Sequence, residues 1–258
     1  SIGLTLIDDQ LPDPNSILRN ADLAMYEAKN RGKARLVIFD NSQHDKLLWR
    51  MQIETDLRYF VARKALEVYY QPLIDLKTGH IFAFEALLRW NHPRKGFISP
   101  EIFIPIAEEV GLIGQIGQTV LETVRDQVKE WKDQFGDENT PSIGVNMSVR
   151  QIMDQQYYDT IFETLTNMGD LKDYSHLEVT ESFIMADSNL IKQRLQSLRD
   201  LGIKLSIDDF GTGYSSLSYL HTFPLEILKI DREFISTMIE DSKVERLVAT
   251  IIGLAQDL

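Results

Sequence analysis

The segment at residues 204–220, KLSIDDFGTGYSSLSYL, places two adjacent aspartates directly after a short apolar run. Lys-Leu-Ser-Ile is typical of a strand that enters a core, and Asp208 and Asp209 follow it before a Gly-Thr-Gly turn. Adjacent carboxylates repel each other, and a buried carboxylate is normally paired or holds a metal ion. The segment therefore predicts either a solvated loop or a site that holds something cationic.

Strands and helices alternate around this segment, which predicts a mainly parallel α/β fold. The turn at residues 77–79, Lys-Thr-Gly, predicts that the first two strands are antiparallel. An open doubly wound sheet and a barrel both fit, and no glycine fingerprint follows the first strand. We favour a (β/α)8 TIM-like barrel that lacks its last strands here. The predicted strands lie at residues 68–76, 81–90, 142–148, 176–182, 204–210 and 225–231.

Ahead of the barrel, residues 1–40 predict a short α/β unit with a helix at about residues 16–30. Some 40 residues cannot form a stable core alone. Residues 41–66 predict a charged connecting helix, and residues 67–258 the barrel domain.

Composition limits the classes of function. The chain has 258 residues and no cysteine, which excludes disulfides and thiolate metal sites. Its net charge of −12 disfavours binding to a nucleic acid polymer. No apolar run approaches the ~18 residues of a membrane span, so we expect a soluble, cytoplasmic chain. Whether an upstream region of the full-length protein tethers it to a membrane is left open.

Polar side chains recur inside the predicted strands, where apolar runs are expected. The C-terminal ends of barrel strands form the active site in such folds, so these groups should converge there. Oxygen ligands of this kind suit Mg²⁺ or Mn²⁺, and no pair of the five histidines has ligand spacing. The residues concerned are Glu85, Asn146, Glu178, Asp208 and Asp231.

Each of these residues also has a purely structural interpretation. A single acid at a strand end is more often solvated, and Asp208 with Asp209 could form a helix-capping turn. Lys229 shares a strand face with Asp231 and is either an ion-pair partner for the acids or an ammonium that orients an attacking water. Acids plus a lysine would also fit a magnesium-dependent enolising enzyme.

From about residue 56 to 258 the chain resembles the EAL domain, the cyclic di-GMP phosphodiesterase module of bacterial signalling proteins. The signature Glu85-Ala86-Leu87 lies within FEALLRW. An ordered set of further blocks makes the resemblance specific: YYQPLIDLKTG, SPEIFIPIAEEVGLI, VNMS, LEVTES, KLSIDDFGTGYSSLSYL and LKID.

The resemblance implies a role for individual residues. It makes Lys229 the lysine near the attacking water, with Asp231 its acidic neighbour, and these two act in catalysis together with Glu85. Gln71 and Arg89 match substrate-contacting positions, and Glu181 matches the anchor of the loop after the two aspartates. The implied metal ligands are Glu85, Asn146, Glu178, Asp208 and Asp209.

The implied reaction is hydrolysis of cyclic di-GMP to linear pGpG with two Mg²⁺ or Mn²⁺ ions. We expect Ca²⁺ to inhibit, because its longer and looser coordination suits a two-metal geometry poorly. A receptor that binds cyclic di-GMP without hydrolysis is the alternative. The resemblance also allows a homodimer through the loop at residues 210–220.

Residues 1–40 resemble the tail of a GGDEF domain, the cyclic di-GMP synthase module, through SIGLTLI and ADLAMYEAKNRGKARLVIF. The synthase signature is absent, so synthase activity is not expected from this segment. At the other end, the AEGVE-like block with a further metal-binding glutamate is also absent. We therefore expect a truncated GGDEF–EAL arrangement, and whether these residues alone are active is left open.

Overall fold

The computed structural model describes residues 1–6, 13–30, 32–184, 189–211 and 223–257. The chain divides into two compact units, residues 1–59 and 60–258. Helix α2 (Asn41–Ala62) ends four residues before the predicted end of the connecting helix at residue 66. Soon after it, Lys64 takes a φ of +51°, which no α-helix continues through. The domain boundaries drawn from the sequence stay predictions.

In the first unit, β1 (Ile2–Leu4) and β2 (Leu36–Ile38) pair in parallel, and α1 (Pro14–Asn30) lies between them in the chain. The helix begins slightly before the predicted residue 16. There the Asp13 side chain accepts a hydrogen bond from the backbone of Asn15 and satisfies one free N–H of the first turn. The small core of this unit is formed by Ala24, Ala28 and Val37.

The second unit alternates strands with helices. Its strands are β3 (Glu67–Ile74), β4 (Ile81–His92), β5 (Gly96–Ile98), β6 (Ser142–Asn146), β7 (Ser175–Thr180), β8 (Lys204–Phe210) and β9 (Ile227–Ile230). Its helices are α3 (Pro100–Glu109), α4 (Ile113–Phe135), α5 (Val149–Met153), α6 (Gln155–Asn167), α7 (Glu181–Ile184), α8 (Asn189–Asp200), α9 (Arg232–Thr237) and α10 (Ser242–Asp257).

The sheet follows the order β3-β4-β6-β7-β8-β9, with β5 paired to β4. β3 and β4 are antiparallel, and β4, β6, β7, β8 and β9 run parallel. The expected antiparallel start followed by parallel strands is therefore confirmed. This mixed α/β arrangement is consistent with a TIM-like barrel, and a closed ring of eight strands stays a prediction.

Four strands end earlier than the apolar pattern predicted, namely β3, β6, β7 and β9. At β6 and β9 the reason is a polar residue that caps the next helix. Ser148 accepts a hydrogen bond from Gln151 N, and the Gln151 side chain accepts one from Ser148 N, so a capping box starts α5 directly after β6. Asp231 caps α9 by a single hydrogen bond, which its side chain accepts from Glu233 N at 2.7 Å. The strand β5 was not predicted.

Alternation along the parallel strands separates an apolar face from a polar one. On one face Leu177, Val179, Leu205 and Ile207 are buried. The opposite face carries the residues at the intervening positions, which include the acids singled out from the sequence. Helices cover the sheet, and the buried stripe of α4 repeats at helical spacing through Ile113, Ile116, Val120, Val124 and Val128.

In the part of the chain that the structure describes, no helix is long and apolar enough to cross a membrane.

Candidate active site

Three carboxylates from three different strands meet on the polar face of the sheet. Glu85 of β4, Glu178 of β7 and Asp208 of β8 each offer an oxygen, and these oxygens lie within 4.8 Å of one another. The Glu178 side chain is fully buried. Like charges this close and this poorly solvated require a compensating cation.

Lys229 of β9 supplies a positive charge at the centre of this acidic cluster. Its Nζ lies 3.0 Å from Glu85 Oε2, 2.5 Å from Glu178 Oε2 and 3.1 Å from Asp208 Oδ2. Burial alone would lower the pKa of Lys229, but the hydrogen bonds and charges of Glu178 and Glu85 outweigh it and raise that pKa well above its ordinary value. The lysine therefore stays charged.

Glu178 is held in its charged form by two partners. Burial would raise the pKa of this carboxyl, but hydrogen bonds from His176 and then Lys229 lower it below its ordinary value. One ammonium among three ionised carboxylates leaves the cluster with a net negative charge.

Asn146, at the end of β6, joins the same cluster. Its Nδ2 donates a hydrogen bond to Glu85 Oε1 at 2.8 Å. An amide beside three carboxylates is the set of hard oxygen donors that Mg²⁺ and Mn²⁺ take in proteins. The residues present therefore fit a divalent cation, and no histidine nitrogen belongs to the three-residue cluster.

A β-bulge shapes the segment that carries the two adjacent aspartates. Between two regular pairs of β8 and β9, Asp208 and Asp209 stand opposite a single residue, Lys229. Asp209 takes a φ of +54°, a conformation that few non-glycine residues adopt, and its backbone N–H donates to Asp208 Oδ1 at 3.0 Å. Bulges of this kind re-aim side chains next to active sites.

The bulge does not bring Asp209 into the three-carboxylate cluster. Asp209 lies beside it, where burial, then the charges of Asp208 and Asp231, raise the pKa of Asp209 above its ordinary value. Of the two adjacent aspartates predicted as metal ligands, Asp208 contributes an oxygen to the cluster and accepts a hydrogen bond from Lys229 Nζ at 3.1 Å.

The two predicted substrate-binding residues take different positions. Gln71 of β3 pairs directly with Glu85 across the antiparallel ladder, so it adjoins the cluster. Arg89 lies four residues beyond Glu85 on β4 and lines a cavity of about 310 Å³ together with Asn146. Its guanidinium donates to the carbonyl of Leu88 at 3.0 Å and does not reach the carboxylates.

Glu181, the predicted anchor of the loop after the two aspartates, contacts the start of that loop. This buried carboxylate accepts a hydrogen bond from Gly211 N at 2.7 Å. Residues 212–222, and with them most of the loop through which the homodimer was predicted, lie outside the described residues.

Gly211→Ala is expected to lower the melting temperature by several degrees. Gly211 has a φ of +106°, and an added Cβ would lie 2.6 Å from the Phe234 ring, so strain and collision together should cost more than about 1 kcal/mol. Gly169→Ala is the matched control, because Gly169 has a φ of +58° and open space around it. Equal melting shifts in the two variants would contradict a packing role for Gly211. Differential scanning fluorimetry measures both.

Sequence reasoning missed His176, which lies in β7 two residues before Glu178. The imidazole is buried, and its Nε2 lies 3.1 Å from Glu178 Oε1. The signal was available, since residues two apart in a strand share a face. The spacing of histidines to one another does not reveal it, because the partner of His176 is a glutamate.

The sequence profile of the EAL domain family matches residues 54–258. The chain therefore belongs to the EAL domain family. The matched residues include the antiparallel pair of β3 and β4, the parallel strands and the acidic cluster.

Two of the curated relatives that match the whole of this chain are named for an activity. It is 38% identical over 258 residues to the bifunctional diguanylate cyclase/cyclic di-GMP phosphodiesterase MucR of Pseudomonas aeruginosa, covering 37% of that protein. It is 34% identical over 258 residues to the cyclic di-GMP phosphodiesterase PdeR of Escherichia coli, covering 38% of it. The chain thus spans well under half of the length of these relatives.

Solved structures show a similar fold. The PaMucR phosphodiesterase in complex with c-di-GMP is 40% identical, with a TM-score of 0.73 over 80% of this chain and 83% of that chain. The EAL enzyme Bd1971 with cAMP and cyclic-di-GMP bound is 30% identical, with a TM-score of 0.75 over 96% of this chain and 65% of that one.

Proposed function

We propose that the chain is the catalytic domain of a metal-dependent phosphodiesterase that hydrolyses cyclic di-GMP to linear pGpG in bacterial second-messenger signalling. The observation that carries the proposal is the meeting of Glu85, Glu178 and Asp208 within 4.8 Å, with Lys229 bridging all three. An acidic cluster with a net negative charge attracts a divalent cation and would repel the substrate phosphates without one. Relatives named as cyclic di-GMP phosphodiesterases support the choice of substrate.

Two Mg²⁺ or Mn²⁺ ions would be held by the carboxylates of the cluster together with Asn146 and Asp209. Bound there, such ions polarise a phosphodiester and stabilise charge on the attacking and leaving oxygens. In the hydrolysis itself, the water oxygen bonds to phosphorus, the bond from phosphorus to the 3′ oxygen breaks, and a proton ends on that 3′ oxygen.

Lys229 lies in β9 and Asp231 directly follows that strand, and both act in the proposed hydrolysis. The three N–H donors of Lys229 engage Glu85, Glu178 and Asp208 here, and metal ions that bound those carboxylates would release the ammonium to orient the attacking water. Asp231 Oδ1 accepts a hydrogen bond from Glu233 N at 2.7 Å, and the Asp231 carboxylate would accept a proton of that water. Gln71 and Arg89 contact the dinucleotide, Gln71 beside Glu85 and Arg89 through a phosphate oxygen.

We further propose that residues 1–40 are the tail of a GGDEF-like domain. The parallel pair of β1 and β2 with α1 between them supports this, as does the match of the whole chain to a relative named as a diguanylate cyclase as well as a phosphodiesterase. Placement in the cytoplasm and a homodimer are proposed on the same family grounds.

The direct test incubates the full-length protein with cyclic di-GMP in Mg²⁺, Mn²⁺ or Ca²⁺ and separates the nucleotides by chromatography. We expect pGpG with Mg²⁺ or Mn²⁺ and little with Ca²⁺. Binding without cleavage in any metal would favour a receptor. The absence of both binding and cleavage would contradict the proposal.

Arg89→Lys is expected to weaken substrate affinity about tenfold while turnover changes less, because lysine keeps the charge but cannot form the planar two-point contact with a phosphate. Steady-state kinetics, with affinity measured separately in Ca²⁺, provide the check. Arg199→Lys, at an exposed position in the last turn of α8, is the matched control. Unchanged affinity in Arg89→Lys would remove Arg89 from the substrate site.

A further inference from the structure

His176 and Glu178 form a buried pair on the polar face of β7. Both side chains are almost fully inaccessible to solvent, at 7% and 0% exposure. The imidazole Nε2 lies 3.1 Å from Glu178 Oε1. A carboxylate only accepts, so the imidazole carries its proton on Nε2 to make this bond.

The two oxygens of Glu178 have separate partners. Oε1 faces His176, and Oε2 faces Lys229 at 2.5 Å. A carboxylate that is held at both oxygens cannot rotate freely about its last torsion. Its orientation toward Glu85 and Asp208 is therefore set by the imidazole on one side and the ammonium on the other.

The neighbouring strand is shaped to make room for this pair. Gly144 of β6 pairs directly with His176. A Cβ at Gly144 would lie 2.2 Å from Glu178 Oε1 and 2.6 Å from His176 Nε2, so any larger residue would occupy the space of the hydrogen bond. Three residues on two strands thus define one arrangement of the Glu178 carboxylate.

We propose that His176 is a positioning residue that orients Glu178 for binding of a divalent cation, with Gly144 preserving the space for their hydrogen bond. The inference deepens the proposed function and rests on it, because it requires that Glu178 holds a cation. Partners of this kind behind a metal ligand commonly contribute 10- to 100-fold in affinity. In this role His176 acts through Glu178 and is not itself a ligand of the cation.

The test measures Mn²⁺ binding to full-length protein without substrate, by calorimetry and by electron paramagnetic resonance. His176→Gln keeps an N–H close to the position of Nε2, whereas His176→Asn is a matched amide that is too short to reach Glu178. We expect His176→Asn and Gly144→Ala to weaken Mn²⁺ binding about 10- to 100-fold. His176→Gln should bind within a few-fold of wild type.

Ser206→Ala is the control for loss of a buried polar group on the same face. Ser206 pairs with Glu178 from β8, is fully buried, and its hydroxyl has no hydrogen-bond partner among the described residues. This variant should bind Mn²⁺ normally.

Wild-type affinity in His176→Asn, or equal weakening in the Gln and Asn variants, would overturn the positioning role and leave the proposed function standing. Failure of the wild-type protein to bind Mn²⁺ would overturn both. If His176→Asn does not fold, as judged by circular dichroism, the Mn²⁺ affinity of Gly144→Ala is compared with that of Ser206→Ala instead. Equal affinities in these two variants would overturn the proposal.

Discussion

Glu85→Gln is expected to reduce hydrolysis of cyclic di-GMP by a factor on the order of 10² or more, with the fold intact. The amide has the volume of the carboxylate and can still accept the hydrogen bond from Asn146 Nδ2, so packing changes little. What disappears is one of three negative charges that meet at the cluster. Turnover in saturating Mg²⁺, with circular dichroism as the check on folding, measures the effect.

Glu163→Gln provides the matched control for this change. Glu163 lies on the exposed side of α6, so its replacement removes the same charge from the protein without touching the cluster. Near-wild-type turnover of Glu85→Gln in Mg²⁺ would refute the assignment of Glu85 as a metal ligand.

Lys229→Met should produce the second large effect, and it should appear first in stability. Without metal, three carboxylates would lose the ammonium that bridges them, and breaking such a buried arrangement costs roughly 3 kcal/mol. For a unit of this size that is about 6–12 °C in melting temperature. Added Mg²⁺ should restore much of the loss, because a cation again balances the acids.

Kinetics of the same variant separate the two interpretations of Lys229. If the ammonium orients the attacking water, turnover in saturating metal falls far more than substrate affinity. A variant that melts early but hydrolyses normally would reduce Lys229 to a charge-balancing role. Lys132→Met is the control. Lys132 pairs only with the exposed carboxylate of Asp137, at 2.9 Å among the described ion pairs, so its replacement should change melting temperature and turnover little.

Much of the fold could be predicted from the sequence because each strand is a short apolar run bounded by turn or capping residues. The predicted strand at residues 204–210 coincides with β8, and the antiparallel start followed from the turn at residues 77–79. Strand ends were less predictable, because Ser148 and Asp231 serve as helix caps and this is decided by local hydrogen bonds. The spacing of Ser148 and Gln151 is nonetheless the sequence signature of a capping box, and it marks the end of β6 in advance.

The site was predictable in its chemistry but not in its finer geometry. The sequence places an acid within each of several predicted strands. Three of these acids, Glu85, Glu178 and Asp208, have oxygens within 4.8 Å of one another in the structure. The bulge that turns Asp209 aside from them depends on one extra residue between two paired strands and on a left-handed backbone. Neither leaves a mark in hydrophobic periodicity. The spacing of His176 and Glu178 places them on one strand face, but their hydrogen bond depends on side-chain geometry.

The order of the strands along the chain has a consequence for how the protein is made. Lys229 lies 144 residues after Glu85, and it belongs to the last described strand of the sheet. During synthesis the three acids emerge before the lysine that neutralises them, and long-range pairings of this kind form late in folding. A partly synthesised chain therefore carries an uncompensated anionic centre, and the addition of β9 to the sheet is also the step that neutralises it.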